Sequence, residues 1–214
     1  MIITWLGHSC FKIQDKPGSD GATVITDPFD QSTGLKVPRC EANIVTVSHD
    51  HHDHNNIASI KGSPVVISGA GEYEVSNVFI EGAEAYHDEK QGAERGKNIM
   101  YRIDIDDMSV AHLGDLGHIL DAKQLEQFEG TDILLIPVGG NFTIGAKKAV
   151  EVVSQIEPRI VIPMHYKVPG LKIDLDGVEK FIKELGLKPT YEDKLKISKK
   201  DLPQEDMELV VLKI

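Results

Sequence analysis

Four histidines and two aspartates within one six-residue window are the residues of this sequence best suited to chemistry. The window directly follows the apolar segment 44–47 and contains His49, Asp50, His51, His52, Asp53 and His54. Imidazole and carboxylate groups together suit Zn²⁺, Mn²⁺ or iron. Four ligands from one short segment divide between two metal ions more easily than they surround a single ion. The window therefore predicts a metal site, and two ions are the favoured arrangement.

Side-chain alternation along a strand predicts how these histidines are directed. In extended backbone His49 and His51 project to one side and His52 to the other, so we expect His52 to lie outside the ligand set. Asp53 and His54 reach the same volume as His51 if the chain turns into a helix directly after them. The simpler alternative is a histidine-rich surface tract that chelates metal through local histidine density alone.

The first half of the chain predicts a series of short strands. Runs of β-branched and aromatic residues alternate there with Gly, Pro, Asp and Asn, which is typical of hairpins. The predicted strands cover residues 2–5, 11–13, 23–26, 44–47, 65–67, 78–80, 99–105 and 108–113.

The second half predicts alternating helices and strands, because apolar residues with helical spacing separate β-branched runs. Helices are predicted over residues 122–128, 146–156 and 175–185, strands over 133–137, 160–163 and 207–214, and a solvated, charged connector over 191–206. No linker divides the chain. We therefore expect residues 1–214 to form one α/β domain in which two sheets pack together with helices on their outer faces.

Composition narrows the class of protein. The 214 residues include 23 Lys and Arg against 34 Asp and Glu, and the resulting net charge of −11 opposes non-specific attraction to nucleic acid or an anionic membrane. Two cysteines are too few for a disulfide scaffold, so a reducing compartment fits. We find neither a secretory signal nor an apolar run of about 18 residues. The expected protein is soluble and cytoplasmic.

Residues 49–54 have the pattern His-x-His-x-Asp-His, which resembles the signature of the metallo-β-lactamase superfamily of metallohydrolases. Asp27, Asp115 and His165 match three further positions of that family. The resemblance implies a metallo-β-lactamase-like domain with an αββα sandwich of two mixed sheets and outer helices. Within the superfamily, residues 5–9 (Trp-Leu-Gly-His-Ser) look most like the branch that contains L-ascorbate-6-phosphate lactonase.

The family places one further histidine ligand at a strand end between the 49–54 cluster and the aspartate that bridges the metal ions, which Asp115 matches. Three residues are candidates for this histidine. His87 ends the strand that starts near residue 78 and is the favoured choice. His112 lies within a strand, three positions before Asp115, and a buried structural histidine is the simpler interpretation. His118 follows Asp115 and suits a supporting role or a solvated loop.

By this resemblance, two metal ions are expected, most simply Zn²⁺, although Mn²⁺ or iron accept the same ligand types. One ion would be held by His49, His51 and His87, and the other by Asp53, His54 and His165, with Asp115 as the bridge. Asp53 would also orient the nucleophile or relay its proton. Asp27 would fix a ligand imidazole through a hydrogen bond.

Four further residues are candidate substrate contacts. One lies in a Gly-His-Ser turn after the first strand, one follows the bridging aspartate, one lies in a Gly-rich turn before a helix, and one is a lysine close to the last histidine ligand. The third position, Asn141, lies before a helix, and a helix N-terminus favours anions, which supports it as a contact for an anionic substrate. The four candidates are His8, His118, Asn141 and Lys167.

The sequence therefore predicts a metal-dependent hydrolase that acts through a metal-bound hydroxide on a small anionic ester, lactone or phosphorylated metabolite. A phosphodiesterase or ribonuclease of the same superfamily is one alternative, although the acidic net charge and the lack of room for a large RNA-binding arm speak against it. A non-catalytic metal-binding protein with this fold is another. The expected partner is a small-molecule substrate, and neither nucleic acid nor a membrane is expected.

Overall fold

Two β-sheets contain most of the regular structure in the residues that the computed structural model describes, 1–15 and 21–214. The strands are β1 (Ile2–Gly7), β2 (Cys10–Gln14), β3 (Thr23–Thr26), β4 (Ile44–Thr46), β5 (Val65–Ile67), β6 (Gly71–Val75), β7 (Val78–Tyr86), β8 (Lys97–Ile105), β9 (Met108–His112), β10 (Ile133–Pro137), β11 (Ile160–Met164), β12 (Thr190–Glu192), β13 (Leu195–Lys196) and β14 (Glu208–Leu212). The α-helices are α1 (Ala122–Gln127), α2 (Ala146–Ile156) and α3 (Val178–Leu185). Short 3₁₀ turns occur at Gln31–Thr33, Ile57–Ser59 and Lys199–Asp201.

Both sheets are mixed. Within the described residues the first sheet has six strands in the order β13-β1-β2-β3-β4-β5, and the second has eight in the order β12-β14-β11-β10-β9-β8-β7-β6. In the first sheet, β3, β4 and β5 run parallel and the remaining pairs are antiparallel. In the second, β6 to β9 form an antiparallel meander, and the pairs from β9 to β12 are parallel. The predicted α/β class with two mixed sheets is therefore confirmed.

The α-helices pack on the eight-stranded sheet. Helix α1 begins at Asp121, which forms a capping box with Gln124. The Gln124 amide also donates to the carbonyl of Glu84 (2.8 Å) and thereby fastens α1 to β7. Helix α2 packs over β10 and against α3. Gly186 follows helix α3 and caps its C-terminus in a left-handed conformation (φ 73°).

Alternate residues of the six-stranded sheet supply two apolar layers. Ile3, Trp5, Phe11, Ile13, Val24 and Ile44 belong to the main core, which they share with the second sheet. Their neighbours Cys10, Ile25 and Val45 face the other way and form a smaller cluster with Phe29 and Ile60. Loops, rather than α-helices, therefore cover the outer face of this sheet.

Five strands bring their carboxyl ends to one edge of the two sheets. Strands β3 and β4 of the first sheet and β7, β9 and β11 of the second end there. The loops that follow these strands carry the histidines and aspartates of the predicted metal site. The fold thus gathers side chains that are far apart in the sequence.

The structure differs from the sequence prediction mainly at sheet edges. Strands β12 and β13 lie in the charged connector that was expected to be solvated throughout, and Gly71–Val75, part of a Gly-rich segment, forms edge strand β6. Edge strands tolerate exposed, charged side chains because only one side of the backbone is paired, so they lack a strong hydrophobic pattern. Among the described residues, no helix is both long and apolar enough to span a membrane.

Tyr101 joins the two sheets through its hydroxyl group. The side chain belongs to β8 and is fully buried. Its Oη donates to the carbonyl of Val47 (2.8 Å), which directly follows β4, and to that of Ile67 (3.2 Å), the last residue of β5. Burial raises the pKa of this phenol, so the hydroxyl stays protonated as a donor.

We expect Tyr101→Phe to destabilise the fold, because the carbonyl of Val47 loses a buried donor. Loss of such a hydrogen bond costs about 1–2 kcal/mol, which corresponds to a fall of roughly 2–8 °C in Tm for a chain of this size. The matched control is Tyr191→Phe, since Tyr191 is 55% exposed. Equal Tm values for both variants and the wild type would contradict the role of Tyr101.

Candidate metal centre

The chain turns sharply after β4, and this turn directs three histidines inward. The backbone N–H of His54 donates to the carbonyl of His51 (2.8 Å), and that of His51 donates to His49 (3.0 Å). The helix predicted to follow His54 is reduced to the 3₁₀ turn at Ile57–Ser59. His51 and His52 are both exposed, but only the ring of His51 joins the neighbouring histidines.

His49, His51 and His87 form the first group of potential ligands. One nitrogen atom of each ring lies within 4.8 Å of the others. The ring centroids of His49 and His51 are 4.5 Å apart, and those of His49 and His87 are 4.8 Å apart. His87 comes from the second sheet, and its backbone N–H donates to the carbonyl of Gly96 (3.1 Å). The group therefore depends on the packing of the two sheets.

Asp115 lies between this group and a second set of histidines. Its Oδ2 atom is 3.2 Å from the Nε2 atoms of His87 and His165 and 3.3 Å from that of His54. The backbone N–H of Asp115 donates to the Asn98 side chain (2.9 Å), which holds the loop in place. One carboxylate thus contacts imidazoles from both groups.

The second group consists of His8, His54 and His165, which are all fully or almost fully buried. The ring centroids of His8 and His165 are 4.2 Å apart. The Asp53 carboxylate lies at the border of this group, with Oδ2 3.2 Å from Nε2 of His8 and 3.8 Å from Nε2 of His54. The structure thus places the His8 ring among the histidines of this group, although the sequence analysis named it only as a substrate contact.

His8 and His165 are held by their backbones as well as by packing. Both have left-handed conformations, with φ of 54° and 51°, and the N–H of His165 donates to the carbonyl of His8 (3.1 Å). That carbonyl also accepts from the indole of Trp5 (2.9 Å). A Cβ atom at Gly139 would lie 2.1 Å from the carbonyl oxygen of His165, so glycine is required there. These contacts leave His165 little freedom.

Asp27 controls the tautomers of two histidines. Its buried Oδ2 accepts from Nδ1 of His54 (2.9 Å) and from the hydroxyl of Ser48 (2.6 Å). The Ser48 oxygen in turn accepts from Nδ1 of His49 (2.9 Å). With Nδ1 committed to these hydrogen bonds, Nε2 is the nitrogen through which His49 and His54 would bind a metal ion. The expected role of Asp27 at one imidazole therefore extends to two, and Ser48 was missed by the sequence analysis.

The two alternatives to His87 have other partners. Nε2 of His112 donates to the carbonyl of Ser9 (2.8 Å), and its Nδ1 accepts from the N–H of Gly114 (3.3 Å), as expected of a buried structural histidine. Nε2 of His118 accepts from the N–H of Tyr86 (3.1 Å), and its Nδ1 donates to a neighbouring carbonyl. His118 thus supports the backbone beside His87, and its expected substrate contact would cost both of these hydrogen bonds.

Asn141 and Lys167 also make backbone contacts. The ammonium group of Lys167 donates to the carbonyls of Leu171 (2.7 Å) and Ile173 (2.8 Å), so it fastens a loop and has little capacity left for substrate. The Asn141 amide donates to the carbonyl of Asp174 (2.7 Å). Asn141 is exposed, and its substrate role stays a prediction.

Burial and neighbouring charges set the protonation of the centre. Burial lowers the pKa of His49 to about 3 and that of His8 to about 4, so both rings are neutral near pH 7. Burial acts to raise the pKa of Asp115, but the imidazoles of His165 and His54 outweigh it and hold that pKa well below its usual range. Burial acts to lower the pKa of His54, but the carboxylates of Asp115 and Asp27 outweigh it and raise that pKa. A metal ion bound at His54 would therefore displace a proton from this ring, whereas His49 and His8 are already neutral.

Unsatisfied atoms test whether the centre fits metal ions. Nε2 of His49, Nε2 of His54 and Oδ1 of Asp115 are buried and lack a hydrogen-bond partner among the described residues. These three residues also bring ligand atoms within 4.8 Å of one another. Buried polar atoms without partners are costly, and cations held in the centre would satisfy these three. The residues therefore fit a metal centre.

Comparisons with known proteins show which family the chain belongs to. The family model of the β-lactamase superfamily domain matches residues 2–165. The chain is 30% identical to a UPF0173 metal-dependent hydrolase of Methanopyrus kandleri, with 87% of this chain and 94% of that protein covered. It is also 30% identical to one of Staphylothermus marinus, with 85% and 90% covered.

A solved structure gives the same result. The crystal structure of a protein from Thermotoga maritima, described as a Zn-dependent hydrolase of the metallo-β-lactamase superfamily, matches with a TM-score of 0.79 and 37% identity. The match covers 99% of this chain and 97% of that one. The family resemblance expected from the histidine pattern is thus confirmed. The chain belongs to the metallo-β-lactamase superfamily and, within it, to the UPF0173 metal-dependent hydrolases.

Proposed function

We propose that this protein is a hydrolase with a dinuclear metal centre, for which Zn²⁺ is the expected metal. His49, His51 and His87 would hold one ion, and Asp53, His54 and His165 the other, with Asp115 between them. The observation that carries this proposal is the position of Asp115 Oδ2, 3.2 or 3.3 Å from histidines of both groups. A shared carboxylate suits two adjacent cations because it offsets charge on both.

When bound, two such ions lower the pKa of water and polarise a carbonyl or phosphoryl oxygen. The chain's own groups would supply orientation and proton transfer. Asp53 Oδ2, hydrogen-bonded to Nε2 of His8, would accept a proton from the attacking water and return it to the leaving group. Asp27 and Ser48 would keep the rings of His49 and His54 turned toward the centre.

The substrate that we propose is a small anionic ester, lactone or phosphorylated metabolite. The net charge of −11 supports a small substrate over RNA. An RNA would extend beyond the site, and the acidic surface of the protein would repel its phosphates there. The lactonase-like segment 5–9 supports the same class by resemblance, and its His8 lies in the centre. A phosphodiester or RNA substrate remains an outcome of the test below.

Metal content tests the dinuclear proposal, and His51 and His52 are a matched pair for it. We expect about two metal equivalents per chain in the wild type. His51→Ala should weaken metal retention by at least about 10-fold to 100-fold, with a severe loss of turnover. His52→Ala should retain both, because its ring lies outside the histidine groups. Equal losses in the two variants would favour a chelating tract, and one equivalent in the wild type would contradict a dinuclear centre.

Asp27→Asn should weaken metal retention without contacting the ions. The substituted amide keeps the shape of the carboxylate but not its charge. Its single oxygen cannot accept both from the Ser48 N–H on one side and from the Ser48 hydroxyl and His54 Nδ1 on the other. We expect affinity to fall about 10-fold to 100-fold, measured by metal content after dialysis against graded chelator. The control is Asp193→Asn, because the Asp193 side chain is 89% exposed. Unchanged retention in Asp27→Asn would refute its positioning role.

A substrate panel tests the proposed class. Phosphorylated lactones, a chromogenic phosphodiester and a structured RNA should be compared by kcat/KM with metal-loaded protein. We expect the small anionic substrates to be turned over fastest. Faster cleavage of the RNA than of every small substrate would instead identify a nuclease, and no turnover of any substrate by fully metallated protein would favour a non-catalytic metal-binding role.

A further inference from the structure

A cleft with basic walls opens beside His87. Its cavity measures about 670 Å³ and lies between the loop at residues 88–95, the turn at 142–145 and the facing sides of α2 and α3. This volume is in the range of small-molecule sites. His87 and Gly117 line the cleft, so it adjoins the first histidine group at His87. A substrate bound at the centre could therefore extend into it.

The charge of this cleft is opposite to that of the chain. Among its described lining residues, six side chains are basic and four are acidic, whereas the chain as a whole has a net charge of −11. The basic residues are Lys90, Arg95, Lys147, Lys148, Lys180 and Lys183, and the acidic ones are Asp88, Glu89, Glu94 and Glu184.

Internal contacts occupy three of the four acidic groups, two of them through ion pairs. Glu94 pairs with Lys90, and Glu89 pairs with Lys148. The Asp88 carboxylate accepts four backbone N–H groups from its own loop, which lower its pKa and commit both of its oxygens. The cleft therefore offers few free acceptors to a positively charged ligand.

Three of the cations remain available. Lys147 and Lys183 form no ion pair or hydrogen bond in the part of the chain that the structure describes. Arg95 has no carboxylate partner there; its guanidinium donates to the carbonyl of Asn141 (3.2 Å) and lies 5.6 Å from the ring centre of Phe142. That contact closes the rim between the two loops and leaves other donors of the guanidinium free.

We propose that this cleft binds a phosphate group of the substrate while the scissile bond lies at the metal centre. The assignment rests on the proposed hydrolase function and specifies its substrate as a phosphorylated small molecule. A phosphate dianion offers several acceptor oxygens and two charges, which match Lys147, Lys183 and Arg95 better than a planar, singly charged carboxylate does. The half-exposed ring of Phe142 adds an apolar contact for the body of the substrate.

Binding of inorganic phosphate tests this site directly. Metal-loaded wild type and the double variant Lys147→Ala/Lys183→Ala should be titrated with phosphate by calorimetry at low and high salt. We expect the double variant to bind phosphate about 10-fold or more weakly, with unchanged metal content. The matched control is Lys61→Ala/Lys188→Ala, which removes the same charge outside the cleft and should bind phosphate like the wild type. The conservative variant Lys147→Arg/Lys183→Arg should retain most of the affinity.

Several results would overturn the assignment. Equal phosphate affinity in the wild type and the Lys147→Ala/Lys183→Ala variant would show that any phosphate binds elsewhere, the metals included. Tighter binding of acetate or malonate than of phosphate would show that the group is the wrong one. Failure of the proposed function is distinguishable: metal content below two equivalents with intact, lysine-dependent phosphate binding would remove the dinuclear centre and leave the cleft assignment standing.

Discussion

A single buried carboxylate, that of Asp115, is the constraint on which the rest of the centre depends. Its Oδ2 atom lies within 3.3 Å of imidazoles from His54, His87 and His165, which three different loops supply. A buried carboxylate is stable only when charge or hydrogen bonds compensate its lost hydration. The two sheets must therefore pack so that all three loops converge, and Asn98 holds the loop of Asp115 in position.

Hydrogen bonds behind the centre decide what its histidines can do. Asp27 accepts from His54 directly, and from the Ser48 hydroxyl, which in turn accepts from His49. Each ring thereby places its Nε2 atom on the side where buried atoms lack partners. Metal binding and stability are linked at this point, because a cation would satisfy atoms that the folded chain leaves without a hydrogen bond.

Three residues of the centre have left-handed backbone conformations. His8, Asp27 and His165 adopt positive φ values of 54°, 39° and 51°, a region that is uncommon for residues with a Cβ atom. Such conformations persist only where the surrounding structure holds them, and here the contacts between His8, Trp5 and His165 do so. The described loops of the cleft beside His87 carry no candidate metal ligand other than His87, so they can vary with the substrate while the centre stays unchanged.

The sequence by itself determined the candidate ligand types and most central strands, because these depend on composition and on local side-chain alternation. Strand alternation was the wrong reason for separating His51 from His52, since residues 49–54 form bends and turns. The sequence could not find edge strands β6, β12 and β13, whose exposed residues show no apolar pattern. Only the tertiary structure decided that His87 reaches the centre while His112 bonds to Ser9, and that the ring of His8 packs among the candidate ligands. These outcomes depend on how two sheets are stacked, and no local periodicity encodes distances between residues so far apart in the chain.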